Sequence, residues 1–377
     1  MSEAVSPVHF DEALVARYGG RGPRYTSYPT ALQFSESFTA DDYRRNAIAS
    51  NDVDMPLSLY VHIPFCSSLC YYCACNKIVT RNVARVQSYL RSLQKEIQLQ
   101  ATLFDRGRKV RQLHFGGGTP TYLNPRELTS LMGWLDNAFS LESGASREFS
   151  IEVDPRTVDR ESIALLGELG FNRLSLGIQD FDPRVQMAVN RIQTAAEVDR
   201  LLATARHNNF HSVSFDLIYG LPQQTVESFD RTLSMVIAMR PDRIAIYNYA
   251  HLPQRFKGQR MINEAHIPAP QVKLRIFHNT VDRLSAAGYE YIGMDHFALP
   301  HDDLVVARQT GTLQRNFQGY STHGECELIG LGVSAIGSIG SVYSQNATAT
   351  SEYETMLGTG RLPVRRGIVV DEDDRLR

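Results

Sequence analysis

From about Leu57 onward the chain alternates between two hydrophobic patterns. Short runs dense in Val, Ile, Leu, Tyr and Phe fall at 59–63, 110–115, 149–153, 173–178, 212–217 and 243–247. Each is bounded by Gly, Pro, Asp or Asn and reads as a strand. Between and after them, at 86–100, 125–139, 159–169, 194–208, 225–239 and 269–287, apolar residues recur every three or four positions, as on one face of a helix. Six strand–helix units in succession predict parallel strands joined by helical crossovers. An open doubly wound sheet and a complete or partial barrel both satisfy this pattern.

The strand ends carry the distinctive chemistry. The first run leads through His62, Pro64 and Phe65 into a group of cysteines, and the second ends in Gly116-Gly117-Gly118-Thr119-Pro120. The third carries Glu152 and Asp154, the fourth Gln179 and Asp180, the fifth Asp216, and the sixth runs into Tyr249-Ala250-His251. In parallel β/α folds these ends converge on one face, so six polar strand ends predict one large pocket.

The flanks look different. Residues 1–50 form a preface, expected to contribute to the substrate pocket, in which the two prolines of the segment from Pro23 to Thr30 argue against a long helix. Arg24 and Tyr25 in that segment either pin it to the core or reach a ligand. The barrel-like domain is expected over 51–345. Residues 346–377 end in a charged tail without a closing apolar element, which reads as the start of a truncated C-terminal region.

Lys and Arg number 39 against 41 Asp and Glu, a net charge of -2, which gives no electrostatic footprint for nucleic acid. The first ten residues lack the charged-then-apolar pattern of a signal peptide. No apolar stretch approaches the roughly 20 residues that span a bilayer; the apolar, glycine-rich run at 329–339 is short and interrupted by Ser334 and Ser338. A reduced, soluble, cytoplasmic chain is expected.

Four of the five cysteines lie within 66–75, and Cys326 stands apart as an isolated buried thiol. Cys66, Cys70 and Cys73 are spaced Cys-x3-Cys-x2-Cys. Clustered thiols in such a chain point to a metal centre, with zinc and iron–sulfur as the candidates. Cys75 could complete a zinc set, although ordinary zinc signatures pair well-separated couples. Three thiolates on a four-iron cluster would instead leave one iron open to a ligand. The triple glycine permits close backbone approach. Glu152 can accept from an ammonium or a ribose hydroxyl, while Asp154, before Pro155, suits a helix start. Arg191 can grip a carboxylate, and Asp216 and Gln179 can hold hydroxyls or an amine; a buried Arg191–Asp216 ion pair is the alternative for two of them.

A cysteine triad directly after the first strand and upstream of a triple glycine resembles the radical S-adenosylmethionine (SAM) enzymes. Longer strings sharpen this to a resemblance to the oxygen-independent coproporphyrinogen III oxidases. They are the segment from Pro23 to Thr30, Tyr60-Val61-His62-Ile63-Pro64-Phe65-Cys66, Cys73-Ala74-Cys75-Asn76-Lys77, Gly116 to Leu123, Gly293-Met294-Asp295-His296-Phe297 and Asn316-Phe317-Gln318-Gly319-Tyr320. The related haem chaperones, which bind and transfer haem, ordinarily lack the counterparts of Cys75 and of the Pro23–Thr30 preface.

The resemblance implies an α/β fold, a partial (β/α)6 TIM-like barrel. It implies a 4Fe-4S cluster on Cys66, Cys70 and Cys73 and two SAM molecules. The first would be contacted at Tyr60, Gly117, Glu152 and Ile336, and the second at Tyr72, Gly118, Thr119, Gln179, Arg191, Asp216 and Ala250. The implied reaction converts two propionates of coproporphyrinogen III to vinyl groups through a 5'-deoxyadenosyl radical, giving protoporphyrinogen IX. Cys75, Arg24, Tyr25, Asp295 and His296 are the further catalytic candidates. A one-electron reductant, an unidentified electron acceptor and a monomeric state complete the expectation, together with a C-terminal domain that covers the substrate.

Overall fold

The computed structural model describes residues 28–371 except 145, together with residues 11, 13, 14, 17, 373 and 374. The six runs become β1 (Leu57–Ile63), β2 (Lys109–Gly117), β3 (Glu148–Val153), β4 (Arg173–Gln179), β5 (Ser212–Tyr219) and β6 (Arg243–Asn248). The intervening helices are α1 (Val83–Ala101), α2 (Pro125–Ala138), α3 (Arg160–Glu168), α4 (Ala195–His207), α5 (Val226–Met239) and α6 (Pro270–Ala286). Each strand pairs in parallel with the next in chain order. A doubly wound sheet reverses its strand order at a switch point. This run of six does not reverse, so the crossovers all step the same way and the helices line one face, as in a barrel.

The barrel is partial. Beyond β6 the sheet continues antiparallel through His296–Ala298 and Glu290–Gly293. On the other edge, Glu327–Leu331 pairs in parallel with β1 and is followed by the antiparallel strands Ile336–Ile339, Val342–Asn346 and Val364–Val369. The strand order is an open path between Glu290–Gly293 and Val364–Val369. Near the start of the described chain, Ser35 bridges to Gly367 and Phe34 packs edge-on against Phe317.

Alternation along the strands separates two environments. One face points under the helices: Phe149, Ile151 and Val153 of β3, Leu174, Leu176 and Ile178 of β4, and Val213, Phe215 and Leu217 of β5 are all buried in one core. The other face points inward and is polar, with Gln112, His114, Ser150, Glu152, Ser175, Ser214 and Asp216 around a common cavity. Closed barrels of this kind fill their centre with branched apolar side chains. Here the centre is a polar cavity able to take a ligand.

Ion pairs on largely buried arginines close the end of the barrel opposite the cysteines. Arg108 meets Glu327 at 2.6 Å and Arg243 meets Asp302 at 2.8 Å, while Arg173 pairs with Asp303. On the outside, Glu96 of α1 accepts from Gly332 N and Asn346 Nδ2, each at 2.7 Å, and from Tyr353 Oη at 2.5 Å. This carboxyl ties the first helix to the C-terminal strands, and burial pushes it up to about 7. Arg24 and Tyr25 lie outside the described residues. Among the described residues no helix is long and apolar enough to cross a membrane.

Candidate active site

The cysteines sit on a loop closed at its base. Just past β1, Phe65–Cys66 pairs in parallel with Ile78–Val79, and Ile78 N donates to Pro64 O at 2.6 Å. Cys66 and Cys70 are buried, Cys73 is half-buried and Cys75 is exposed. Thr119 Oγ1 stands 3.6 Å from Cys66 Sγ. Arg156 Nη2 and Arg191 Nη1 stand 3.3 and 3.6 Å from Cys70 Sγ. A hydrogen bond from Cys75 draws Cys73 down to about 6, whereas burial pushes Cys66 up to about 11. The thiolate is the form that binds metal.

The arrangement of the thiols bears on the kind of centre. Cys66, Cys70 and Cys73 line one cleft. Yet among the described residues no three cysteine thiols lie within 4.8 Å of one another, as ligands of a single ion would. A cube-shaped cluster has separate metal atoms at its corners, so its thiolates stand further apart. The donor set therefore fits an iron–sulfur cluster better than one zinc ion.

The triple glycine is dictated by crowding at the end of β2. A Cβ on Gly118 would lie 2.7 Å from the Pro64 carbonyl carbon and oxygen. On Gly117, whose φ is +118°, it would meet the His62 ring at 2.8 Å, and on Gly116 it would meet Glu152 Oε1 at 2.9 Å. Without side chains the loop lies against the base of the cysteine loop, with Gly118 N donating to Ile63 O at 2.8 Å. Gly117 N donates to Glu152 Oε2 at 3.1 Å, which orients that carboxylate.

Tyr72, Gly117, Gly118, Thr119, Glu152, Gln179, Arg191 and Asp216 share the cleft with all four clustered cysteines; its empty space is about 1020 Å³. Gln179 has a left-handed φ of 66° at a register shift in β4. Gln193 supports that bend by donating to Ile178 O at 2.6 Å. Arg191 Nη1 meets Asp154 Oδ2 at 2.7 Å, so its buried partner is Asp154 and the Arg191–Asp216 pair does not form. Asp216 instead accepts from Ser175 Oγ at 2.7 Å, and burial pushes it up to about 7.

Two further spaces adjoin the cleft. Tyr60 and Ile336 line one that shares Cys75, Gly117 and Glu152 with it. His296 lines the barrel cavity, which shares Glu152, Asp216 and Tyr247 with the cleft. Asp295 is buried beside it in the turn before His296–Ala298, where its carbonyl accepts from Ile246 N at 2.8 Å. Ala250 is exposed and does not line the cleft; Gln259 Nε2 bridges its carbonyl and that of Tyr72 at 3.1 and 3.0 Å.

Sequence reasoning assigned no role to four groups here. His62 Nδ1 lies 3.0 Å from Tyr60 Oη, and burial pushes its pKa down, keeping the ring neutral. His114 stacks on Tyr60 and lies 3.3 Å from Glu152. Arg156 pairs with Asp154 at 2.7 Å, and Gln193 supports β4. His114 sits at an inward position of β2, and that alternation was a usable signal. Arg156 follows Asp154 by two, but nothing in the sequence directs it toward Cys70. Away from the cleft, Cys326 is half-buried and its thiol lies within 4.8 Å of ligand atoms of His323 and Glu325.

Residues 60–236 match the radical SAM superfamily. The oxygen-independent coproporphyrinogen III oxidase of Pseudomonas aeruginosa is 52% identical over 370 residues, 98% of this chain and 80% of that protein. The enzyme of the same name from Escherichia coli is 49% identical over 374 residues, covering 99% and 81%. A solved structure of coproporphyrinogen III oxidase from Escherichia coli, described as a radical SAM enzyme, superposes with a TM-score of 0.92 at 48% identity, over 98% of this chain and 83% of that one.

Proposed function

The chain belongs to the oxygen-independent coproporphyrinogen III oxidase family of the radical SAM superfamily, and from that membership we propose that it converts coproporphyrinogen III to protoporphyrinogen IX. The observation that carries this reading is a cleft lined by the four clustered cysteines that adjoins, through Glu152 and Asp216, a polar cavity inside the barrel. Cys66, Cys70 and Cys73 hold the 4Fe-4S cluster. Bound there, the cluster and SAM would supply the hydrogen-abstracting radical chemistry that side chains alone lack.

The protein's share is binding, orientation and exclusion of water. Tyr60, Gly117, Glu152 and Ile336 contact the first SAM. Tyr72, Gly118, Thr119, Gln179, Arg191, Asp216 and Ala250 contact a second. Glu152, oriented by Gly117 N, accepts from an amine or a ribose hydroxyl. Arg191 offers its charge to a carboxylate beside Asp154. His296 and Asp295 orient the tetrapyrrole in the barrel cavity, and Arg24 and Tyr25 meet its propionates. Cys75, hydrogen-bonded to Cys73, tunes the cluster's surroundings without ligating it.

At each propionate a hydrogen atom leaves the carbon next to the macrocycle, and the adjacent pyrrole stabilises the resulting radical. Carbon dioxide and one electron then depart, leaving a vinyl group; the electron passes to an acceptor outside the chain. The side chain must be held still while this happens, because a mobile radical would react elsewhere. We read the chain as a cytoplasmic monomer served by a one-electron reductant, organised as an N-terminal extension over 1–50, a barrel over 51–345 and a C-terminal region over 346–377.

The test is anaerobic reconstitution followed by assay of coproporphyrinogen III with SAM, a reductant and an acceptor. Protoporphyrinogen IX with two equivalents of carbon dioxide is expected. Cleavage of SAM without that product would retain the radical chemistry and reject the substrate.

A further inference from the structure

The outer side of the cysteine loop carries a charge pattern that the reaction does not use. Two segments lie against this loop: 183–192, which includes the short helix Pro183–Ala188, and 250–262, which follows β6. Tyr71 N donates to Val189 O at 3.0 Å, Asn190 Nδ2 to Leu69 O at 2.8 Å, and Gln259 Nε2 to Tyr72 O at 3.0 Å. No Asp or Glu occurs in 64–81, 183–192 or 250–262, although the chain has 41 of them. The same segments expose Arg81, Arg184, Arg255, Lys257 and Arg260. Of these, Arg255, Lys257 and Arg260 enter no ion pair among the described residues, and Arg184 shares Asp182 with Arg231.

Apolar side chains stand among the charges. Met187, Ile192 and Met261 are 60%, 62% and 63% exposed, and Leu252 is 45% exposed. Single exposed apolar residues are ordinary. Four on two segments that grip one loop, interspersed with unpaired cations that outnumber the flanking carboxylates Asp182 on Arg184 and Glu264 on His251, have the makeup of a recognition surface: apolar contacts with a polar, charge-selecting rim.

We propose that this face docks an acidic one-electron carrier protein that delivers the reducing electron through the cysteine loop. The proposal rests on the radical SAM reading of the site. Each encounter oxidises the carrier by one electron, and that electron is consumed in cleaving one carbon–sulfur bond of SAM. A net charge of -2 over the whole chain would repel an acidic partner weakly, so a local basic face is what would steer it to this side. The tetracarboxylate substrate is the other acidic candidate. It has a polar space of its own in the barrel cavity, and the exposed apolar residues on the outside suit a protein surface better.

The test uses the reconstituted holoenzyme with two reductants: dithionite, and an acidic flavodoxin kept reduced by its reductase. The triple variant Arg255→Glu, Lys257→Glu, Arg260→Glu is compared with wild type by 5'-deoxyadenosine release. The proposal expects the flavodoxin-driven rate to fall at least tenfold, and wild type but not the variant to slow steeply between low and physiological salt. The dithionite-driven rate and the KM for coproporphyrinogen III should stay unchanged. An unchanged flavodoxin-driven rate overturns the proposal, as does a wild type driven by dithionite but not by flavodoxin. A raised KM for coproporphyrinogen III under dithionite assigns the face to substrate instead. If wild type releases no 5'-deoxyadenosine even with dithionite, the radical reading itself fails and the docking proposal falls with it.

Discussion

Arg191 donates through Nη1 to Asp154 Oδ2 at 2.7 Å and through Nη2 to the carbonyl of Gly177 at 2.6 Å, tying the chain after β3 to β4 beside Cys70. Both partners of the ion pair are more than nine-tenths buried. Removing one side of such a pair leaves a buried charge and costs about 3–5 kcal/mol; here Arg156, also on Asp154, offsets part of the loss. Arg191→Met is expected to retain its iron while binding SAM at least tenfold more weakly in equilibrium dialysis. Wild-type affinity in that variant would confine Arg191 to holding the two strands together.

Two glycine-to-alanine changes should diverge. The Cβ of Gly118→Ala would sit 2.7 Å from backbone atoms of Pro64, which cannot swing aside as a side chain would. Overpacking of this kind costs about 1–3 kcal/mol, here by displacing the base of the cysteine loop. Iron and sulfide per chain after reconstitution should drop well below wild type. Gly133→Ala, inside α2 with nothing within 4 Å of the added carbon, should raise stability by about 0.5–1 kcal/mol and leave iron content alone.

The cysteines should separate into two behaviours. Cys66→Ser, Cys70→Ser and Cys73→Ser should each abolish the visible absorbance of the reconstituted cluster. Cys75→Ser should keep four irons per chain yet lower turnover, because the hydrogen bond that draws Cys73 down is altered. Loss of iron in Cys75→Ser would make it a ligand and reopen the case for a four-thiolate site.

Glu96 makes a pH prediction with a definite sign. Its carboxyl is raised by burial from 4.5 to about 7. The folded state therefore binds more protons than the unfolded state between those values, and stability falls as pH rises through that window. At roughly 1.4 kcal/mol per unit the contribution lost is on the order of 3 kcal/mol. In Glu96→Gln the amide can satisfy one donor as the carboxylate did but presents N–H groups toward others. The variant should be less stable at pH 5 by about 1–3 kcal/mol. Denaturant midpoints should show a shallower decline for it from pH 5 to 7; parallel wild-type and variant curves would remove Glu96 as the titrating group.

Much of the architecture was legible because hydrophobic periodicity is a local property. The run at 149–153 is β3 at Glu148–Val153, and the helix expected over 86–100 spans Val83–Ala101, with Asn82 capping its first turn. The cysteine spacing and the triple glycine were equally visible. Crowding explains the latter, since even a methyl group would strike Pro64, His62 or Glu152. Contacts between distant positions were not legible. A buried Arg191–Asp216 pair was the alternative to ligand contacts on charge alone, but Asp154 holds Arg191 together with Arg156, and Ser175 engages Asp216. The grouping of Cys326 with His323 and Glu325, by contrast, is local, and the sequence reading passed over it by treating Cys326 as isolated.

By itself the sequence determined the repeating part of the inventory: six parallel strands, the helices between them, and a reactive residue type at the end of each strand; the strands over 290–298 and 327–369 were not read from it. Spacing of apolar residues and the steric demands of glycine act over a few residues, so the chain states them directly. Only the tertiary structure decided that the strands follow one another without reversal into a partial barrel. It likewise decided that the inward face of β3, β4 and β5 is a polar cavity adjoining the thiols, and that Arg191 turns to Asp154. Those outcomes depend on which residues become neighbours across 30 or more positions of chain, where burial and charge pairing among all candidates select the partner.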